Sequence, residues 1–187
     1  FAHICGFFDG IDYNIVEAKI HTTRDGYGLD SFLVLDPFNI AEHQRDVISS
    51  MEYELTRQLE QQVPLKPPLQ GRLSRHLRHF PITPEVDIEP DEKGAYHVLS
   101  IVAGDQTGLL SRIAQVLVHF DVNVHSARIN TLGERAEDTF LITGEILNET
   151  RTLIHLETAL LKALQTSGET THARPEESPL SNRSCHL

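Results

Sequence analysis

The residues best placed to bind a ligand form one short loop, Asp105-Gln-Thr-Gly-Leu-Leu110. The loop is predicted to join a strand to a helix, whose first-turn N–H groups and dipole favour an anion such as a carboxylate. Gly108 allows a ligand to approach the backbone closely, and Asp105 could receive an ammonium group. The alternative to ligand binding is that both residues have local structural roles, Gly108 in a tight turn and Asp105 as a helix cap.

Two asparagines extend this candidate site. Asn14 and Asn123 hold equivalent places at the start of a predicted strand, and we expect both to face the loop's end of the sheet. A loop and an asparagine amide could together clamp an α-amino acid, although asparagine is also a common helix terminator. The predicted ligand residues are Asp105, Gln106, Thr107, Gly108, Leu109, Leu110 and Asn123 in the second half of the chain, and Asn14 in the first half.

Other chemistry finds little support in the sequence. The 11 histidines are scattered and form neither an HExxH motif nor a Cys/His set with zinc-binding spacing. There is no GxSxG motif and no P-loop, and Cys5 lies in an apolar helical pattern that predicts a buried, inert thiol. We therefore predict no catalytic residues, no metal site and no cofactor within this chain.

The elements that position the loop occur in a sequence that repeats. Asp12–Thr22 aligns without gaps to Asp121–Thr131, and five of the eleven positions are identical. A period of about 109 residues is too long for a solenoid repeat. It indicates two copies of one small domain.

The second copy has the more complete pattern. Residues 96–103 alternate like a strand, 109–120 carry apolar residues at helical spacing, 124–130 and 137–143 predict two further strands, and 153–164 predict a second helix. This order, β-α-β-β-α, is ferredoxin-like. The usual last strand is absent, and we expect residues 85–88 to replace it by forming a hairpin with 96–103.

The first copy begins part-way through the same pattern. Its first helix opens at Phe1, strands are predicted at 15–22 and 31–35, and a second helix at 40–62. We therefore expect the chain to be a fragment whose N-terminal part is missing. The predicted organisation is a first domain at 1–63, a Pro-rich basic linker at 64–84, a second domain at 85–164 and a disordered tail at 165–187.

The composition limits the kinds of partner and the cellular compartment that we expect for this chain. A formal net charge of −11 argues against nucleic acid or an anionic membrane, since both attract basic proteins. With two widely separated cysteines, the chain has no disulfide framework, which is typical of a reducing compartment. It also lacks an apolar run of roughly 20 residues, the length of a membrane span. We expect a cytoplasmic protein.

These residues resemble a known family. The order strand, Asp105–Leu110, helix, Asp121-Val-Asn-Val124, strand resembles the ACT domain, a small ligand-binding module of amino-acid metabolism. With the segments 78–86 and 127–140, and with 12–20 and 30–37 of the first copy, the chain looks like the C-terminal end of bacterial bifunctional uridylyltransferase/uridylyl-removing enzymes. The resemblance covers about residues 1–164.

The resemblance implies an α+β fold of two tandem ferredoxin-like (βαββαβ) ACT domains, the first truncated at its N-terminus. It implies a region that senses L-glutamine for an enzyme that uridylylates and deuridylylates the PII nitrogen regulatory protein. The Mg-dependent nucleotidyltransferase and hydrolase domains would precede the ACT pair and lie outside this chain. The chain would thus hold the glutamine-sensing end of such an enzyme and not its active sites.

Three alternatives remain. The first is an ACT pair from another amino-acid-responsive protein, such as a stringent-response synthetase or a hydroxyacid dehydrogenase. The second is an RNA-binding module of similar strand order, which needs stacked aromatics and basic charge, whereas strand 96–103 offers only Tyr96. The third is a small ferredoxin-like hydrolase, for which we find no positioned arginine in the first helix loop.

Overall fold

The computed structural model describes residues 1–23, 25, 27–35, 44–68, 77 and 79–165. Most of the predicted tail, part of the linker and the first residues of the helix predicted at 40–62 lie outside these residues. In chain order the elements are α1 (Ala2–Gly10), β1 (Asn14–Thr22), β2 (Gly28–Leu35), α2 (Gln44–Glu60), β3 (Glu85–Pro90), β4 (His97–Gly104), α3 (Leu109–His119), β5 (Asn123–Leu132), β6 (Arg135–Thr143), a 3-10 turn (Glu145–Asn148) and α4 (Thr150–Leu164).

The predicted elements are present with small changes at their ends. The ferredoxin-like order is confirmed in the second copy, and each end of its predicted strands lies within two residues of the observed end. Apolar spacing explains α3, because Leu110, Ile113 and Leu117 fall on one face and are all buried. The prediction that 85–88 replaces the missing strand is also confirmed, since β3 pairs antiparallel with β4 from Glu85↔Val102 to Pro90↔His97.

The strands form one six-stranded sheet in the order β2-β1-β5-β6-β4-β3. The two copies meet in this sheet because β1 pairs antiparallel with β5, from Glu17↔Asn130 to His21↔Ser126. The centre of that ladder is the pair Lys19↔Arg128, which are equivalent residues of the two copies. The ladder therefore has an approximate two-fold axis at its centre.

The repeat in the sequence corresponds to a repeat in backbone geometry. Asp12 and Asp121 both adopt a left-handed conformation after a helix, with φ of 63° and 54°. Aspartate tolerates this conformation better than most residues other than glycine. Four residues further on, each copy has a β-bulge, at Val16 in the pairing of β1 with β2 and at His125 in the pairing of β5 with β6. The shared Asp-x-Asn motif thus lies where the chain leaves a helix and enters a bulged strand.

The core lies between the sheet and the helices. The largest fully buried side chains include Phe140, Leu99, Ile101, Ile113, Leu117 and Leu156, all from the second copy. Helix α1 of the first copy also packs against this core, with Cys5 buried in it and the Phe1 ring 6.1 Å from the Phe140 ring. Part of the first copy thus helps to bury the second. In the described part of the chain, every helix is too short or too polar to cross a membrane.

Candidate functional site

A cleft lies where the two copies meet, between the loop after β4 and the start of β1. It contains about 550 Å³ of space, including its open mouth. The second copy contributes the whole predicted loop, and the first copy contributes residues from the middle of α1 to the start of β1. The floor is formed by β5 and β6. The lining residues are Cys5, Asp9, Asp12, Tyr13, Asn14, Ile15, Asp105, Gln106, Thr107, Gly108, Leu109, Leu110, Ser111, Ile129, Thr131, Ala136 and Asp138.

The asparagine at this cleft is Asn14, from the first copy. Its Nδ2 donates to Oδ2 of Asp105 at 3.4 Å, across the boundary between the copies. The prediction that Asn123 also faces the loop is wrong. Asn123 pairs with Thr143, whereas the loop follows Gly104, which pairs with Arg135 at the other end of β6.

This error has a geometric cause. Strand β5 runs antiparallel to β6, so its first residue lies at the far end of the sheet from the β5–β6 turn. Thr143 lies eight residue steps along β6 from Arg135, which corresponds to roughly 25 Å. Strand β1 runs antiparallel to β5 and so brings its own first residue, Asn14, to the turn. The loop of the second copy therefore meets the asparagine of the first copy.

The loop is held by its own backbone and by the β5–β6 turn. The Asp105 amide donates to the carbonyl of Glu134 at 2.8 Å, and the Leu109 amide donates to the carbonyl of Gln106 at 3.1 Å. Gly108 has φ of 75°, a left-handed value, immediately before α3. The remaining first-turn amides of α3 have no acceptor within the helix and can bind a carboxylate.

The cleft is acidic. Burial raises the pKa of Asp105, while the hydrogen bond from Asn14 lowers it by a smaller amount. Asp9 and Asp138 are deeply buried beside it, with 7% and 2% of their surfaces exposed. Carboxylates in this setting favour a positively charged partner such as an ammonium group.

Sequence reasoning missed both buried carboxylates. Asp138 follows Ala136 and precedes Phe140 on the core-facing side of β6, where alternation predicts apolar residues. A charged residue at such a position is an available signal, because buried aspartate is rare unless it is paired or functional. Asp9 lies on α1 of the first copy, where the sequence predicts no ligand-binding loop.

Two further buried polar atoms adjoin the loop. Oε1 of Gln106 and Oγ of Ser111 have no hydrogen-bond partner among the described residues. Both residues line the cleft. Polar atoms in this state are usually satisfied by water or by a ligand.

Neither the cysteine of the cleft nor its carboxylates are arranged for thiol or metal chemistry. Burial raises the pKa of the Cys5 thiol, so it is not a ready nucleophile. Within the described residues, no group of three or more His, Cys, Asp or Glu side chains could hold a metal ion. The arrangement is suited to binding a small zwitterion.

The ionisation of Asp138 gives a first testable prediction, on stability. Burial raises its pKa from 3.8 to about 7, so the folded state prefers the protonated form. Its contribution to stability is complete below pH 4 and is lost as the pH rises to about 7. Asp138→Asn should therefore be more stable than the wild type at pH 8 by about 2–4 kcal/mol, and nearly equal at pH 4.

Urea denaturation at both pH values measures this difference. Glu137→Gln is the matched control, since that neighbouring carboxylate is exposed on the same strand. A stability difference between Asp138→Asn and the wild type that is the same at pH 4 and pH 8 would contradict the assignment.

Comparison with known proteins agrees with this architecture. Residues 97–152 match the ACT domain model. The bifunctional uridylyltransferase/uridylyl-removing enzyme of Nitrosospira multiformis is 72% identical over 167 residues, which are 89% of this chain and 19% of that protein. The proteins of the same name from Chromobacterium violaceum and Cupriavidus metallidurans are 51% and 53% identical over 88% of the chain, again 19% of each protein.

No solved structure matches the chain. The chain spans about a fifth of the length of the curated relatives it matches. It contains an ACT domain within a ferredoxin-like fold, and it is a homologue of part of the bifunctional uridylyltransferase/uridylyl-removing enzymes.

Proposed function

We propose that this chain is a glutamine-sensing regulatory region and that L-glutamine binds in the cleft between the two copies. The observation that carries the proposal is the contact of Asn14 with Asp105, which joins the copies at one open cleft. In this arrangement the α-carboxylate lies on the first turn of α3, and the ammonium group lies beside Asp105. The side-chain amide of the ligand reaches toward the buried polar atoms of Gln106 and Ser111.

We further propose that the region regulates a longer enzyme of the kind its relatives are named for. That enzyme would uridylylate the PII nitrogen regulatory protein when glutamine is scarce and remove the uridylyl group when it is plentiful. Its Mg-dependent catalytic domains would lie outside this chain, and the protein would act in the cytoplasm. High identity over 89% of the chain supports this assignment.

Regulation requires that glutamine favour one arrangement of the protein over another. A ligand that touches both copies stabilises their packing against each other. The β1–β5 ladder and the contact of α1 with the second-copy core are the surfaces that this packing involves. The catalytic domains would respond to the change in this packing.

The two asparagines provide the test. Asn14→Ala removes the amide at the cleft and should raise the Kd for L-glutamine by about 5–10-fold, the effect of losing one hydrogen bond of about 1–1.5 kcal/mol. Asn123→Ala is the matched control, because it changes the equivalent residue at the far end of the sheet. Isothermal titration calorimetry on the 187-residue chain measures both affinities.

The outcomes separate the possible assignments. An unchanged Kd in Asn14→Ala, or an equal loss in both variants, would place the ligand elsewhere. Binding of another amino acid in preference to glutamine would favour an ACT pair from a different regulator. Absence of binding by any amino acid would overturn the proposed function.

A further inference from the structure

One arginine joins the cleft loop to the end of another helix. Arg112 lies in the second turn of α3, and its Nη1 donates to the carbonyl of Thr107 at 3.2 Å. Its Nε donates to the carbonyl of Ala163, in the last turn of α4, at 3.0 Å. A planar guanidinium can make both bonds at once because its donors diverge in fixed directions.

A second side chain from the loop contacts the same place. Nε2 of Gln106 donates to the carbonyl of Leu164, the last residue of α4, at 3.2 Å. The last four carbonyls of a helix have no donor within that helix. Two of the four in α4 are therefore satisfied by the residues that form or hold the ligand loop.

The first copy also acts on this arginine. Burial lowers the pKa of Arg112, and the nearby carboxylate of Asp9 opposes that shift. Asp9 is itself buried in α1 and lines the cleft. The guanidinium thus interacts with three parts of the molecule. It is hydrogen-bonded to the loop and to the end of α4, and it is attracted to the Asp9 carboxylate of the first copy.

We propose that Arg112 is a positioning residue that couples occupancy of the cleft to the last turn of α4. The inference rests on the proposed function, since it names the route by which a ligand in that cleft affects the rest of the protein. A ligand on the first turn of α3 restrains Thr107 and the loop around it. Because Arg112 bonds the Thr107 carbonyl and the Ala163 carbonyl together, that restraint extends to the point where the chain leaves α4.

Hydrogen–deuterium exchange on the 187-residue chain, with and without saturating L-glutamine, tests the coupling. In the wild type, glutamine should slow exchange in the loop and in the last turn of α4 by about fivefold, the effect of about 1 kcal/mol of added local stability. In Arg112→Met the loop should still respond to glutamine, whereas the last turn of α4 should not.

Two further variants guard against a general loss of structure. Arg112→Lys keeps the positive charge beside Asp9 but replaces the two divergent donors, Nε and Nη1, with a single nitrogen on a flexible stem, so it should lose the coupling even if Arg112→Met fails to fold. Lys162→Met removes an exposed cation from the same turn of α4 and should behave as the wild type.

Retention of the last-turn response in Arg112→Lys would overturn the inference, as would a wild type in which only the loop responds. If glutamine changes exchange nowhere, the proposed function fails instead, and the ligand-free proteins decide the inference. Arg112→Lys should then exchange faster than Lys162→Met in both the loop and the last turn of α4. Equal exchange in the two variants would overturn it.

Discussion

Replacing Phe140 with alanine should lower the free energy of unfolding by about 3–5 kcal/mol, the range observed when a buried phenylalanine is truncated. The Phe140 ring has no exposed surface, and the Phe1 ring packs against it edge-on. The cavity would open between α1 and the sheet, where the two copies share one core. Urea denaturation followed by circular dichroism measures the loss.

The repeat supplies a matched control for this substitution. Phe32 holds the equivalent place in β2, opposite Ala18 as Phe140 is opposite Ala127, but it is only half-buried. Phe32→Ala should therefore lower the free energy of unfolding by less than half as much as Phe140→Ala, because fewer contacts are lost. Equal costs for the two variants would contradict the finding that the shared core is centred on the second copy.

Replacing Gly108 with valine should raise the Kd for L-glutamine by about 10–100-fold. Gly108 has φ of 75°, where a β-branched residue is strained by about 1–3 kcal/mol. Relief of that strain would move the loop and turn the first-turn amides of α3 away from the cleft. Calorimetric titration of the 187-residue chain measures the affinity.

Gly94→Val is the control for the effect of backbone strain away from the cleft. Gly94 has φ of 66° in the β3–β4 turn, and a Cβ atom there would meet nothing within 4 Å. It should lose a similar amount of stability and keep the wild-type affinity for glutamine. A Gly108→Val variant that binds glutamine as well as Gly94→Val does would exclude the loop from the site.

Local elements of this fold could be predicted from the sequence, because their signals are local. Helix α3 shows its apolar face in consecutive turns, and the hairpin of β3 with β4 follows from turn residues between two short alternating segments. The pairing of β1 with β5 joins residues more than 100 positions apart in the chain and leaves no such signal. The two copies were therefore predicted as successive domains, without the continuous sheet that unites them.

The candidate site follows the same rule, because only its local part could be predicted from the sequence. The loop from Asp105 to Leu110 was predicted because strand, glycine and helix follow one another in the sequence, and all six residues line the cleft. Choosing between Asn14 and Asn123 required the direction of strands in the sheet. Asp138 stands in the apolar alternation of β6 and could be predicted from that position, whereas Asp9 becomes a candidate only when its burial is known.

The approximate two-fold axis at Lys19 and Arg128 has a consequence for how this molecule can evolve. In a symmetric homodimer, every mutation changes both binding clefts at once. Here the two halves are covalently joined and separately encoded, so one end of the ladder can be altered while the other is preserved. The repeat already shows such divergence at equivalent residues: Cys5 and Asp9 border the cleft in one copy, whereas Ala114 and Val118 occupy those places in the other. The two ends of the ladder thus carry different side chains, an asymmetry that a symmetric homodimer of one such copy could not have.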